Sequence, residues 1–183
     1  MADLITPSPS NATSPEDADQ EAMVARTIEK FGSLDVVFAN AGFGASSPGT
    51  AKGDPENWKA MILANIYGAI MTCRTALPEV KKAMGHIVLT SSVAGRVTLS
   101  GSVYGATKWA VTGYGRNLRE EVKEDGVRVT LIEPGMVDTP FFDEKKPEAL
   151  QAEDIANAVI YAVSQPAHVN VSEVLVMPNP AGR

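Results

Sequence analysis

Tyr104 and Lys108 stand four residues apart in the run Y-G-A-T-K, close to the start of a segment with helical apolar spacing. Residues at i and i+4 share one face of a helix, so the ammonium can lie beside the phenol. A free tyrosine ionises at about 10, too high for proton exchange at neutral pH. A neighbouring cation favours the phenolate, and each unit of lowering needs about 1.4 kcal/mol. Such a pair is a general acid/base suited to a carbonyl or alcohol oxygen. The plainer alternative is a surface tyrosine–lysine pair of the kind many helices carry.

Further polar residues sit where strands end. Ser92 precedes Tyr104 at the close of I-V-L-T-S-S, and strand carboxyl ends in open α/β sheets are where ligands bind. Its hydroxyl can donate to a substrate oxygen, or it can satisfy a local turn. Asn40 in A-N-A-G follows another strand, with Ala41 and Gly42 completing either a ligand-facing loop or an ordinary turn. Asn65 in L-A-N-I-Y-G lies inside a long helix, where asparagine is mildly unfavourable, so it either faces solvent or takes a buried polar role. Pro134-Gly135 with Thr139, in P-G-M-V-D-T-P, follows the next strand and reads alone as a Pro-Gly turn.

These residues need a scaffold, and the pattern supplies one. A helix capped near Ser14 runs through Val24 and Ile28 to a stop at Gly32. Leu34 to Ala39 is short, β-branched and apolar, as buried parallel strands are. Asp54-Pro55 opens a long helix carrying Trp58, Met61, Ile66 and Leu77. His86 to Thr90, Arg128 to Glu133 and Val174 to Met177 are further strands; Val103 to Asp125 and Glu153 to Ser164 are further helices. Helix and strand alternate, which argues for a parallel sheet with helices on both faces.

The 183 residues suit one domain, residues 21–183, behind a proline-rich segment, 1–20, expected to be a flexible tail. A net charge of −6 without a basic cluster argues against nucleic-acid and anionic membrane partners. The single cysteine, Cys73, cannot form an internal disulfide, and Cys73, His86 and His168 do not have the spacing of a metal site. No apolar run reaches the roughly 18 residues of a membrane span, and no signal peptide opens the chain, so a soluble, cytoplasmic protein is expected.

Together the motifs resemble the short-chain dehydrogenase/reductase family. A-N-A-G is similar to that family's N-N-A-G, with Ala39 in place of the first asparagine. N-I-Y-G is similar to its N-x-x-G, I-V-L-T-S-S-V-A-G to its serine segment, Y-G-A-T-K to its active-site signature, and P-G-M-V-D-T to the loop over the nicotinamide. The resemblance implies a Rossmann-like, doubly wound parallel sheet and an NAD(P)-dependent enzyme interconverting an alcohol and a carbonyl by hydride transfer. Tyr104 would be the acid/base, and Lys108 would lower its pKa and hold the nicotinamide ribose. Ser92 would bind the substrate oxygen, and Asn65 would anchor a relay water. Asn40, Ala41 and Gly42 would lie beside the cofactor, and Pro134, Gly135, Val137 and Thr139 would contact the nicotinamide amide. The Ser92–Tyr104 interval is one residue shorter than the family's commonest spacing, and Ser91 would restore it. The family also implies a homodimer or homotetramer.

One family feature is not in the sequence. The glycine-rich T-G-x-x-x-G-x-G turn has no counterpart, since no glycine precedes Gly32. Against the family pattern, about two βα units, roughly 60 residues at about 30 each, are missing at the N-terminal side. An N-terminally truncated sheet of about four strands is therefore expected, with Leu34–Ala39 as an unpaired edge. That leaves the choice between NAD and NADP open. It also leaves as an alternative a non-catalytic domain that keeps association surfaces but has lost cofactor binding. The segment 139–150 is where the family places its substrate loop. Its shortness points to a small polar or modestly hydrophobic carbonyl compound, with Phe141 and Phe142 either lining a pocket or packing the loop.

Overall fold

The computed structural model describes residues 17–142, 144–146 and 148–179. The proposed cap at Ser14 and most of the segment 1–20 lie outside these residues. Helix α1 runs Asp17–Phe31, so residues 17–20 belong to the helix, and Gln20 is buried. It ends as expected at Gly32, whose φ of 83° is a left-handed stop that glycine adopts without strain.

Four strands follow: β1 Val36–Ala39, β2 His86–Thr90, β3 Arg128–Pro134 and β4 Glu173–Val176. All pairs are parallel, in the order β1-β2-β3-β4, which is the α/β sheet the sequence implies. The first strand starts two residues later than its apolar run. The last includes Glu173, whose charge had masked it. Among the described residues β1 and β4 are the two edges, and Val36 at the start of β1 is exposed.

Alternation along the strands separates two faces. Val37, Ala39, Ile87, Leu89, Val129 and Leu131 form one, packed against Cys73, Ala76 and Val80 of α3 (Ala69–Lys82) and Val111, Leu118 and Val122 of α4 (Val103–Val122). Each fully buried valine, leucine or isoleucine among them contributes about 1.5–3 kcal/mol. On the other face Val88 and Ile132 are buried, and α5 (Ala152–Val163) lies against β3 and β4 with Ala158 and Ala162 inward.

The long second helix is composite. Asp54 caps α2 (Pro55–Ile62) by accepting the Glu56 amide, and a π-helical turn over Leu63–Gly68 joins it to α3. The span Pro55–Lys82 is long and apolar enough to cross a membrane by composition, contrary to the run-length reading. Here it packs into the sheet and α4, and Met61, Asn65, Cys73 and Val80 are at most 1% exposed, as in a core helix. Helix α4 ends at Val122, three residues before the expected Asp125; a 3₁₀ turn, Lys123–Asp125, leads to Gly126 in the left-handed region.

Candidate active site

Because β1, β2 and β3 are parallel, their carboxyl ends point the same way and their following loops converge. The residue that joins them is Thr90, the last of β2. Its hydroxyl donates to Asn40 Oδ1 at 2.8 Å, and its carbonyl accepts from Lys108 Nζ at 2.9 Å. Lys108 is 4% exposed, and that burial pushes its ammonium down to about 8. Asn40, Ala41 and Gly42 form an exposed loop directly beside it. A Cβ on Gly42 would stand 2.9 Å from Asn65 Oδ1 and 3.6 Å from Lys108 Nζ, so only bare backbone passes there.

Asn65 occupies the π-helical turn, a local widening that often marks a functional position in a helix. Its side chain is buried and engaged. Oδ1 accepts the Phe43 amide at 3.0 Å, while Nδ2 donates to the Phe43 carbonyl and to Thr107 Oγ1, each at 3.0 Å. Both amide hydrogens are thus spent on holding the loop after β1 and the first turns of α4. A relay water at this residue would have to use the remaining acceptor positions.

The neighbouring serines separate cleanly. Ser91 Oγ donates to the Lys108 carbonyl at 3.0 Å, so its 2.7 Å partner Thr112 must be the donor in their pair. That serine is locked under α4. Ser92 instead caps the 3₁₀ turn Val93–Gly95 by accepting the Ala94 amide, donates to the Pro134 carbonyl at 3.4 Å, and lies near enough to Tyr104 to favour its phenolate. The shorter spacing to Tyr104 therefore belongs to the serine that faces it.

Tyr104 sits in the first turn of α4, behind the Ser102 cap. Burial pushes its hydroxyl above the ordinary tyrosine range, and the Ser92 hydroxyl draws it back. Lys108 Nζ lies 5.8 Å from the ring centroid with its ammonium turned to Thr90. The edge of Phe141 meets the Tyr104 ring at a centroid distance of 5.6 Å, and Phe142 packs on Phe141 at 5.2 Å.

The loop after β3 is pinned on several sides. The Gly135 amide donates to the Val176 carbonyl at 2.7 Å. Val137 bridges Leu150, and the Asp138 amide donates to the Leu150 carbonyl at 2.7 Å. Thr139 Oγ1 accepts the Phe141 amide at 3.4 Å and so helps turn that ring toward Tyr104. The structure thus gathers Asn40, Gly42, Asn65, Ser92, Tyr104 and Lys108 around the strand ends, with the Pro134–Thr139 loop on the Ser92 side. His86 begins β2 at the opposite end of the sheet, and Cys73 is buried in α3 with its thiol pushed up to about 12.

A family model described as short chain dehydrogenase matches residues 8–150. The chain belongs to the short-chain dehydrogenase/reductase family. An uncharacterized oxidoreductase of Staphylococcus saprophyticus is 44% identical over 161 residues, which cover 85% of this chain and 68% of the relative. Among solved structures, the alcohol dehydrogenase of the archaeon Thermococcus sibiricus, complexed with 5-hydroxy-NADP, superposes with a TM-score of 0.81. It is 29% identical and covers 89% of this chain and 71% of its own. Serine dehydrogenase of Escherichia coli gives 0.79 at 35% identity, covering 89% and 72%. The Rossmann-like sheet of this short-chain dehydrogenase/reductase is therefore shared with enzymes of that class, and the chain is an oxidoreductase by family.

Four residues in or beside the candidate site were not singled out from sequence. Thr90, Phe43 and Thr107 act through backbone groups or ordinary hydroxyls, which leave no motif. Arg96, which closes the Val93–Gly95 turn and pairs with Glu133 and Glu173, is different: a lone arginine just past the serine segment, with a lone glutamate before Pro134, is a charge pattern visible in the sequence.

Proposed function

We propose that this chain carries the site of an NAD(P)(H)-dependent oxidoreductase that interconverts a small alcohol and its carbonyl compound, with Tyr104 as acid/base. The observation that carries it is the convergence at the strand ends of Ser92, held at the Pro134 carbonyl, and of Tyr104 with the buried Lys108 ammonium 5.8 Å from its ring. The nicotinamide, when bound, supplies or accepts the hydride. Tyr104 Oη takes the hydroxyl proton during oxidation and returns it to the carbonyl oxygen during reduction. Ser92 holds that same oxygen in place and stabilises the phenolate by hydrogen bonding. Lys108, with one carbonyl partner and an ammonium still rich in donors, would hold the ribose hydroxyls and add its charge to the site.

The residues present fit the nicotinamide end. The Gly42 backbone passes Lys108 with no room for a side chain, and Asn40, Ala41, Pro134, Gly135, Val137 and Thr139 ring the same strand ends. Asn65 would act by fixing Phe43 and Thr107, and any relay water would sit on its free acceptor positions. A glycine-rich turn for the pyrophosphate is not in the sequence. A second reading is a domain that associates without binding cofactor. Ile62, Leu63, Tyr67 and Trp109 are exposed along the helices and would suit contact with a second copy.

The aromatic edge over Tyr104 favours small substrates. The neighbours named for alcohol and for serine suggest assaying simple secondary alcohols, ketones, aldehydes and hydroxy acids, each with NADPH and NADH. Cofactor-dependent turnover that falls by about 10²–10⁴-fold in Tyr104→Phe supports the proposal. Unchanged turnover in that variant overturns the role of Tyr104.

A further inference from the structure

Glu133 is wholly buried at the end of an apolar strand, between Ile132 and Pro134, on the face where Val129 and Leu131 meet α4. A carboxylate without water needs a cation. Arg96 provides it, its Nε on Glu133 Oε2 and its Nη2 on Glu173 Oε2, while Arg116 Nε holds Glu173 Oε1 at 2.7 Å. Glu133 Oε1 is buried with no hydrogen-bond partner. Replacing such a pair by apolar residues is often neutral or stabilising, so stability alone does not account for it.

Placement does. Arg96 closes the 3₁₀ turn Val93–Gly95, and Ser92 opens it. The two ends of this turn meet consecutive residues of β3: Ser92 lies at the Pro134 carbonyl and Arg96 at Glu133. Between them Gly95 is wedged so tightly that a Cβ would lie 2.7 Å from the Lys108 carbonyl. A planar guanidinium is directional where an apolar contact would slide.

We propose that Arg96 and Glu133 are positioning residues, whose ion pair sets where the Ser92 hydroxyl stands relative to Tyr104. This rests on the oxidoreductase reading, and the test separates the two. Glu133→Gln and Arg96→Met should each lower kcat by about 10- to 100-fold with KM near its wild-type value. On a Ser92→Ala background the same changes should cost almost nothing more, because the group they position is gone. Fully multiplicative losses, or losses confined to KM, overturn the proposal. Independently of turnover, hydrogen exchange at the Ala94 amide, which Ser92 Oγ accepts, should quicken in both variants while amides of β1 and β2 keep their rates. Unaltered exchange at Ala94 overturns the positioning role. An inactive wild type with quickened Ala94 exchange in the variants supports the positioning role and counts only against the oxidoreductase reading. Should Glu133→Gln fail to fold, Arg96→Lys keeps the charge but loses the fork, and must show the same exchange change.

Discussion

Lys108 Nζ donates to the carbonyl of Thr90 at 2.9 Å, tying the second turn of α4 to the last residue of β2. Thr90 in turn donates its hydroxyl to Asn40 Oδ1, so one strand end registers a helix and the neighbouring loop together. The lysine is held where a bound ribose and Tyr104 would both be within its range, and the fold accepts a buried ammonium to keep it there.

That arrangement has a cost that can be measured. With a folded pKa of about 8 against an ordinary 10.5, the Lys108 charge is disfavoured in the native state. Below pH 8 both states are protonated and the penalty is full; it fades as pH rises from 8 to 10.5. Lys108→Met should therefore raise stability at pH 7 by about 1–3 kcal/mol, less at pH 10, while abolishing cofactor-dependent turnover. Denaturant melts at the two pH values check it.

His86 predicts the acid limb of stability. Thr130 Oγ1 donates to the Val171 carbonyl, so His86 Nε2 must be the donor in their 2.7 Å pair. Its Nδ1 is left buried without a partner, and burial with Arg128 nearby pushes the imidazole down to about 4. The unfolded chain therefore binds the extra proton first. Stability should fall as pH drops from 6.5 toward 4, by about 3 kcal/mol in all from this residue. In His86→Gln the slope over that window should be markedly shallower by thermal melts.

Gly95 has no space to give. A Cβ there would meet the Lys108 carbonyl and Thr112 Oγ1 at 2.7 Å and Ser91 Oγ at 2.8 Å, all buried. Gly95→Ala should destabilise the fold by about 1–3 kcal/mol through overpacking. Gly113→Ala, where nothing lies within 4 Å, should stabilise α4 by up to about 1 kcal/mol and serves as the control.

Much of the scaffold was legible because local chemistry and fold agree: Asp54 caps, Gly32 and Gly126 stop, and β-branched runs pair. What escaped is set by groups far apart in the chain. The π turn at Leu63–Gly68 has no local signature, and within it Asn65 reaches back to Phe43 and forward to Thr107. Choosing between Ser91 and Ser92 required knowing which strand face α4 covers. Strand β4 began one residue early because Glu173 is neutralised by Arg96 and Arg116, which periodicity cannot see. The i, i+4 spacing brings Lys108 to the Tyr104 ring as expected of a shared helix face, whereas its hydrogen bond to the Thr90 carbonyl joins residues 18 apart and leaves no local signature.

The central claim is that these strand ends receive a nicotinamide cofactor. Titrating NADPH and NADH calorimetrically into the 183-residue chain, with Lys108→Met alongside, tests it most directly. The account predicts micromolar binding of at least one cofactor, lost in Lys108→Met while the variant stays folded. A folded, soluble wild-type chain that takes up neither cofactor would contradict it and leave association as the remaining role of these residues.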